Sequence, residues 1–274
     1  MLWTLWGALA VYVAATAWIK LREHSLVFVP YRGPYGALPP DLEPFTRQVS
    51  TRTEDGLTLA GYELLVERDP DRAPWLVFLH GNGKHIAVGG RLDRYRQWRR
   101  LGFNVLAFDY RGYGESEGTP SEEGFYRDAR AIYNHLHRAR AIDPKRIVVL
   151  GGSLGSAVAV DLAQHVKLAG LILEGAFPSI PEVGQRRYPL LPIRWLMKYR
   201  FASIEKIRRI SVPMLFLHAR SDRVVPPQLG QALFEATAAP KRWIELDGGH
   251  DDGHLASATL YERSLQSFVS EVTA

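Results

Sequence analysis

From residue 75 onward the apolar positions gather into short runs instead of alternating with polar ones. They fall at Trp75–Leu79, Val105–Phe108, Ile147–Leu150, Leu171–Leu173, Met214–Leu217 and Trp243–Leu246. Near-continuous apolar runs of this length are the pattern of strands covered on both faces. Upstream, "FTRQVSTRT" and "LTLAGYELLV" flank Glu54-Asp55-Gly56, a hairpin signal. Between the runs, apolar residues recur at helical spacing. The clearest case, "GFYRDARAIYNHLHRA", follows "TPSE", in which Thr119 is the expected N-cap, Pro120 the first helical residue and Glu122 the partner in a capping box. Strand and helix alternating in this way predict an α/β fold: a mostly parallel, twisted sheet of about eight strands with helices on both faces. In such sheets the chemistry gathers at the carboxyl ends of the strands.

The first 45 residues have a different pattern. "LWTLWGALAVYVAATAWI", residues 2–19, carries no charge. As a helix it would be about 27 Å long, close to the hydrocarbon thickness of a bilayer. Trp3, Trp6 and Trp18 lie toward its ends, where interfacial aromatics sit. Residues 1–22 are therefore expected to be a single-pass membrane anchor. Two alternatives remain: a cleaved signal peptide, with Ala15-Thr16-Ala17 as its cleavage site but no Lys or Arg before the apolar stretch, and a helix packed on the soluble domain. Lys20 and Arg22 follow the segment and no basic residue precedes it, which favours a cytoplasmic catalytic domain. Residues 23–45 hold Pro30, Pro34, Pro39, Pro40 and Pro44 and read as a connector without regular structure. Residues 46–274 form the domain, with 175–205 as a short cap insertion.

Composition narrows the class. The 274 residues are 46% hydrophobic and 23% charged, an ordinary globular balance that one domain of this size accommodates. The net charge of +5 sits partly in two clusters, Arg91 to Arg100 and Arg186 to Arg209. No nucleic-acid signature interleaves with them. They read as a solvated face, with attraction to an anionic membrane as the sharper alternative. The absence of cysteine excludes disulfides and thiolate metal sites.

Chemistry enters at "RIVVLGGSLGSAVAV", residues 146–160. A G-x-S-x-G alone is a weak signal. Here it follows a buried-strand run and precedes a helix of small residues, the context a nucleophile elbow requires. Side chains at 151 and 155 would collide with the neighbouring strand and helix, which makes Ser153 the candidate nucleophile. A serine needs a base, and the base an orienting acid, in the chain order Ser, acid, His. "LFLHARSDRVVPP" places Asp222 just past a strand, and "WIELDGGHDDGH" places His250 after the last one. His254 competes as base; Asp247, Asp251 and Glu174 compete as acid, Glu174 with a supporting role expected. An oxyanion needs preorganised donors. Leu154 N–H, opening the helix, and Asn82 N–H, in "FLHGNGKH", are the candidates. His80 reads as a buried structural residue.

Taken together, "FLHGNGK", "VLAFDYRGYGESEGTPSEEGFYRDA", "VVLGGSLGSAVAVDLA", "LILEGAFPSI", "FLHARSDRVVP" and "GGHDD" make residues 46–270 resemble the alpha/beta-hydrolase superfamily. The chain is similar to its single-pass-anchored branch of depalmitoylase-like and lysophospholipase-like proteins. The resemblance implies Ser153 as nucleophile, Asp222 as acid, His250 as base and Asn82 with Leu154 as oxyanion donors. It implies no metal or organic cofactor and structural roles for Asp109 and Arg111. One departure is His218-Ala219, where His-Gly is usual. The expected substrate is a small-molecule acyl ester or thioester of a lipid or lipid-modified molecule, with membrane lipid as partner through the N-terminal helix, no nucleic acid, and oligomeric state open. Ile180, Tyr188, Leu190, Leu191, Ile193, Trp195, Leu196 and Met197 would line an acyl channel or pack as a helical loop on the core. Two other classes share the fold. A proline-releasing aminopeptidase needs a larger cap and acidic residues for an N-terminal amine, unlike this short basic insertion. A non-catalytic tethered interaction protein does not need an intact Ser, Asp and His set.

Overall fold

The computed structural model describes residues 2–274; residue 1 of the expected anchor segment lies outside the described residues. Eight strands form one sheet: β1 (Thr46–Arg52), β2 (Thr58–Leu64), β3 (Trp75–Leu79), β4 (Asn104–Phe108), β5 (Ile147–Gly152), β6 (Gly170–Glu174), β7 (Met214–Ala219) and β8 (Lys241–Leu246). Their order is β1-β2-β4-β3-β5-β6-β7-β8. The β1–β2 and β2–β4 pairs are antiparallel, and every pair from β4–β3 to β7–β8 is parallel. The order reverses direction at β3, so a crevice opens beyond the carboxyl ends of β3 and β5.

Alternate residues of one strand serve opposite faces. Trp75, Val77 and Leu79 of β3 join a core shared with α3 (Glu122–Asn134), α4 (Leu154–Ala163) and α8 (Pro227–Ala236). Leu76 and Phe78 join a second core with α2 (Gly89–Arg100) and α10 (Ala258–Val272). Both faces being covered explains why the strands read as unbroken apolar runs.

The helix cap before α3 differs from expectation. Ser121, not Thr119, is the N-cap: it is extended, and its hydroxyl accepts Gly124 N–H at 3.1 Å. Glu122 does not close a capping box. Its carboxylate reaches out of the helix to accept the N–H groups of Arg200 and Phe201, both at 2.7 Å.

The insertion after β6 carries α5 (Ile180–Arg187), α6 (Ile193–Leu196) and α7 (Ser203–Lys206). The short α9 (Gly253–Ala256) lies between β8 and α10. The N-terminal helix α1 runs from Leu2 to Val27, five residues past the expected limit of 22. The reason is local: the first proline of the connector is Pro30, and "EHSLVFV" before it contains nothing that stops a helix. These last turns are not free chain. Phe28 is 2% exposed and packs edge-on against Phe125 and Tyr199. Burying one such ring contributes roughly 1.5–3 kcal/mol, so Phe28, directly after α1, ties the helix end to the domain. The connector that follows is also fixed: Leu42 is fully buried, and Tyr35 O–H donates to Asp109 Oδ2 at 2.7 Å.

Candidate active site

β5 ends in Gly151-Gly152, and Ser153 takes φ 51°, ψ −120° before α4 begins. A non-glycine residue in that region costs on the order of 1–3 kcal/mol and persists only where its surroundings dictate it. The surroundings are two glycines. A Cβ on Gly151 would sit 2.4 Å from Gly155 O, and one on Gly155 only 2.0 Å from Leu79 O. Ser153 N–H donates to Glu174 O at 2.8 Å, tying the turn to the next strand.

The turn lifts Ser153 Oγ to within 2.9 Å of His250 Nε2. His250 Nδ1 is 2.7 Å from Asp222 Oδ2. Asp222, accepting on that side, selects the tautomer with Nδ1–H, which leaves Nε2 as the acceptor for the serine hydroxyl. Asp222 is itself held by its second oxygen, which accepts Val224 N–H at 2.9 Å and Val225 N–H at 2.8 Å. Burial alone would raise the Asp222 pKa. The hydrogen bond and charge of His250, with the two backbone donors, outweigh it and hold the carboxyl below its ordinary value. Burial likewise pushes His250 down, but Asp222 outweighs it and the imidazole sits above its usual pKa.

Leu154 is the first residue of α4, so its N–H is among those a helix leaves unpaired. Asn82 lies in the loop after β3, next to the nucleophile: a Cβ on Gly81 would approach Ser153 Cβ and Gly152 O to 3.1 Å. This loop is clamped at several points. Asn82 Oδ1 accepts Tyr113 O–H at 3.0 Å and Val29 N–H at 2.9 Å. Arg91 Nη2 donates to Gly83 O at 2.9 Å. His80 is fully buried, with Nε2 3.2 Å from Asp109 Oδ1. Asp109 also accepts Ile86 N–H at 3.0 Å, and Arg111 bonds Asp128 and Asp55. Both act on the fold around the loop and away from the serine.

A cavity of about 1070 Å³ opens on Ser153 and His250. Its walls include Asn82, Lys84, Arg91 and Arg94, Val224, Asp251, His254, Leu255 and Tyr261, with Tyr31 and Gly36 of the connector. Of residues 175–205, only Gly175 lines it. Of the two readings of the insertion, an acyl channel or a helical loop packed on the core, the described residues show no channel lined by it. Ile180, Met197 and Tyr199 instead pack against the core, and the insertion grips α1. The arginine cluster at 91–100 is likewise not only a solvated face. Arg91 and Arg94, one helical turn apart, both line the cavity, whereas Arg96 on the outer side pairs with Asp41.

Arg94, Glu174 and Tyr261 form a network that the sequence revealed only in part. Arg94 Nη2 is 2.6 Å from each Glu174 oxygen and 2.7 Å from Tyr261 Oη. Glu174 is thus occupied away from His250, in the supporting position expected of it. Asp247 lies on an exposed ion pair with Arg220, and His254 packs edge-on to Tyr261. Ala219 keeps the strand geometry of β7, and His218 Nε2–H donates to Val225 O at 2.8 Å, so the His-Ala departure leaves the acid loop intact.

The sequence profile of the alpha/beta hydrolase family matches residues 76–204. An uncharacterized protein of Mycobacterium tuberculosis is 36% identical over 91% of this chain and 88% of its own. The lysophosphatidylserine lipase ABHD12 of Danio rerio is 37% identical over 61% of this chain and 48% of its own. Among solved structures, the esterase Pf2001 of Pyrococcus furiosus superposes with a TM-score of 0.76 at 21% identity, over 90% of this chain and 100% of that one, a likeness of fold. With its sheet order, its strained serine turn and these relatives, the chain belongs to the alpha/beta hydrolase family.

Proposed function

We propose that this protein is a membrane-anchored serine hydrolase that cleaves acyl esters or thioesters of lipid or lipid-modified molecules. The observation that carries the reading is the continuous relay from Ser153 Oγ through His250 to Asp222, at 2.9 and 2.7 Å, on the wall of a cavity. In this mechanism Ser153 attacks the acyl carbonyl while His250 takes its proton. Asp222 holds the imidazole and stabilises its cationic form. Leu154 N–H and Asn82 N–H bind the oxyanion. His250 then protonates the leaving alcohol or thiol, and water repeats the sequence to release the acid.

Support for a lipid substrate is of two kinds. α1 presents an apolar stretch long enough to cross a bilayer, and only 6% of it is buried within the protein. A relative of similar sequence is named as a lipase of lysophosphatidylserine. Under this reading residues 2–19 form the membrane span, and the domain follows on the cytoplasmic side.

The test is hydrolysis of p-nitrophenyl esters from acetate to palmitate in detergent, with Ser153→Ala alongside. The expected result is turnover of medium or long chains and a loss on the order of ten thousandfold in the mutant. A mutant equal to wild type would reduce Ser153 to a turn residue and overturn the proposal.

A further inference from the structure

The apolar face of α1 does not end where the folded domain begins; the two overlap. Ile19, the last residue before the first charge, is 5% exposed, whereas Trp18 and Leu21 beside it are 52% and 84% exposed. One side of the helix at this level is covered by protein. Lys20 Nζ donates to Leu196 O at 2.7 Å. One turn on, Glu23 is buried and accepts the N–H of Tyr199 at 2.8 Å and that of Lys198. Residues 196–199 of the insertion are thereby pinned at the height of the first charged residue of α1.

What stands next to that pin is unusual for a soluble surface. Trp195 is 90% exposed and Leu190 86% exposed. A single exposed leucine means little, but a nearly naked tryptophan held beside an apolar helix at a defined height does. Arg186, Arg187, Lys198 and Arg200 are exposed around the same corner, and Arg194 pairs with Glu182. Tryptophan favours the headgroup level of a bilayer, and basic side chains favour its anionic lipids.

We propose that the corner formed by residues 188–198 is a second membrane contact, in which Leu190 and Trp195 enter the headgroup layer of the bilayer that α1 crosses. The proposal rests on reading α1 as a membrane span. The height follows from the geometry. A span ending at Ile19 puts Lys20 at the membrane surface, and its ammonium is only 2.7 Å from the Leu196 carbonyl. The Leu196 carbonyl, and Trp195 with it, therefore lies at that surface too. A helix alone would leave the molecule free to tilt in the bilayer. The helix together with this corner fixes one orientation.

The chain has no cysteine, so a single introduced thiol reports one position. Full-length Trp195→Cys and Leu190→Cys would each carry an environment-sensitive nitrobenzoxadiazole label. The liposomes would be phosphatidylcholine with phosphatidylglycerol. Arg263→Cys, exposed on α10 across the sheet, serves as the water-facing reference. The expected result is blue-shifted emission at 195 and 190, quenching by lipids that carry a shallow nitroxide, and protection from aqueous iodide, with none of these at 263. Flotation of the same liposomes separates two failures. Protein that floats while 195 and 190 behave like 263 would overturn this contact and leave the anchor standing. Protein that does not float would overturn the anchor and this contact together.

Discussion

The loop after β3 and the insertion after β6 both leave the carboxyl end of a central strand, yet they serve different surfaces. The first, residues 80–91, contains few apolar residues and lies against Ser153. It is held by Tyr113, Val29, Arg91 and Asp109. The second is rich in large apolar groups and contributes only Gly175 to the cavity. Ile180, Met197 and Tyr199 pack on the core, Leu190 and Trp195 stay exposed, and the backbone receives Lys20 and Glu23 of α1. An apolar segment near a site is thus not automatically its wall. Which surface it covers depends on what competes for it, and here the end of α1 competes successfully.

Substitutions in each segment separate their roles. The largest effect is expected at Asn82→Ala. It removes the carboxamide that Tyr113 and Val29 hold, letting the loop with the proposed oxyanion donor shift, and misplacement of this kind costs up to about a hundredfold in kcat. The KM for a short dissolved ester should hardly move. An unchanged kcat would mean that the clamp does not position the loop. A smaller effect is expected at the cavity rim. Leu255 lines the cavity and is 63% exposed. Leu255→Arg should lower kcat/KM for a long-chain ester about tenfold relative to acetate, the equivalent of two buried methylenes at about 0.8 kcal/mol each. On the same dissolved esters Trp195→Ser should leave that ratio unchanged. The reverse pattern would return the acyl channel to the insertion.

The sheet was legible because strands covered on both faces leave little room for polar residues, and all six apolar runs fall inside observed strands. The relay was legible for a similar reason: Gly151 and Gly155 are required by contacts of 2.4 and 2.0 Å, and such positions mark themselves in a sequence. Long-range partners did not. Nothing adjacent to Val29 in the chain signals that its N–H meets Asn82, 53 residues away. Arg94 looked like one of a row of solvated arginines until the helix turned it toward Glu174. Ser121 displaced Thr119 as cap because Pro120 starts no helix here; its carbonyl lies 3.1 Å from His24 Nε2 of α1.

The central claim is that Ser153 is activated by His250 through its unprotonated Nε2. The most direct test is the rate at which a fluorophosphonate labels the full-length protein as a function of pH, read by intact mass and peptide mapping. Asp222 holds His250 above its ordinary pKa, so the imidazole is protonated and unable to accept the serine proton at low pH. One label is expected, on Ser153, with a rate that rises about tenfold per pH unit and levels off above a midpoint higher than the ordinary histidine value of 6.5. A label on another residue, or a Ser153 labelling rate that is flat across that range, would contradict it.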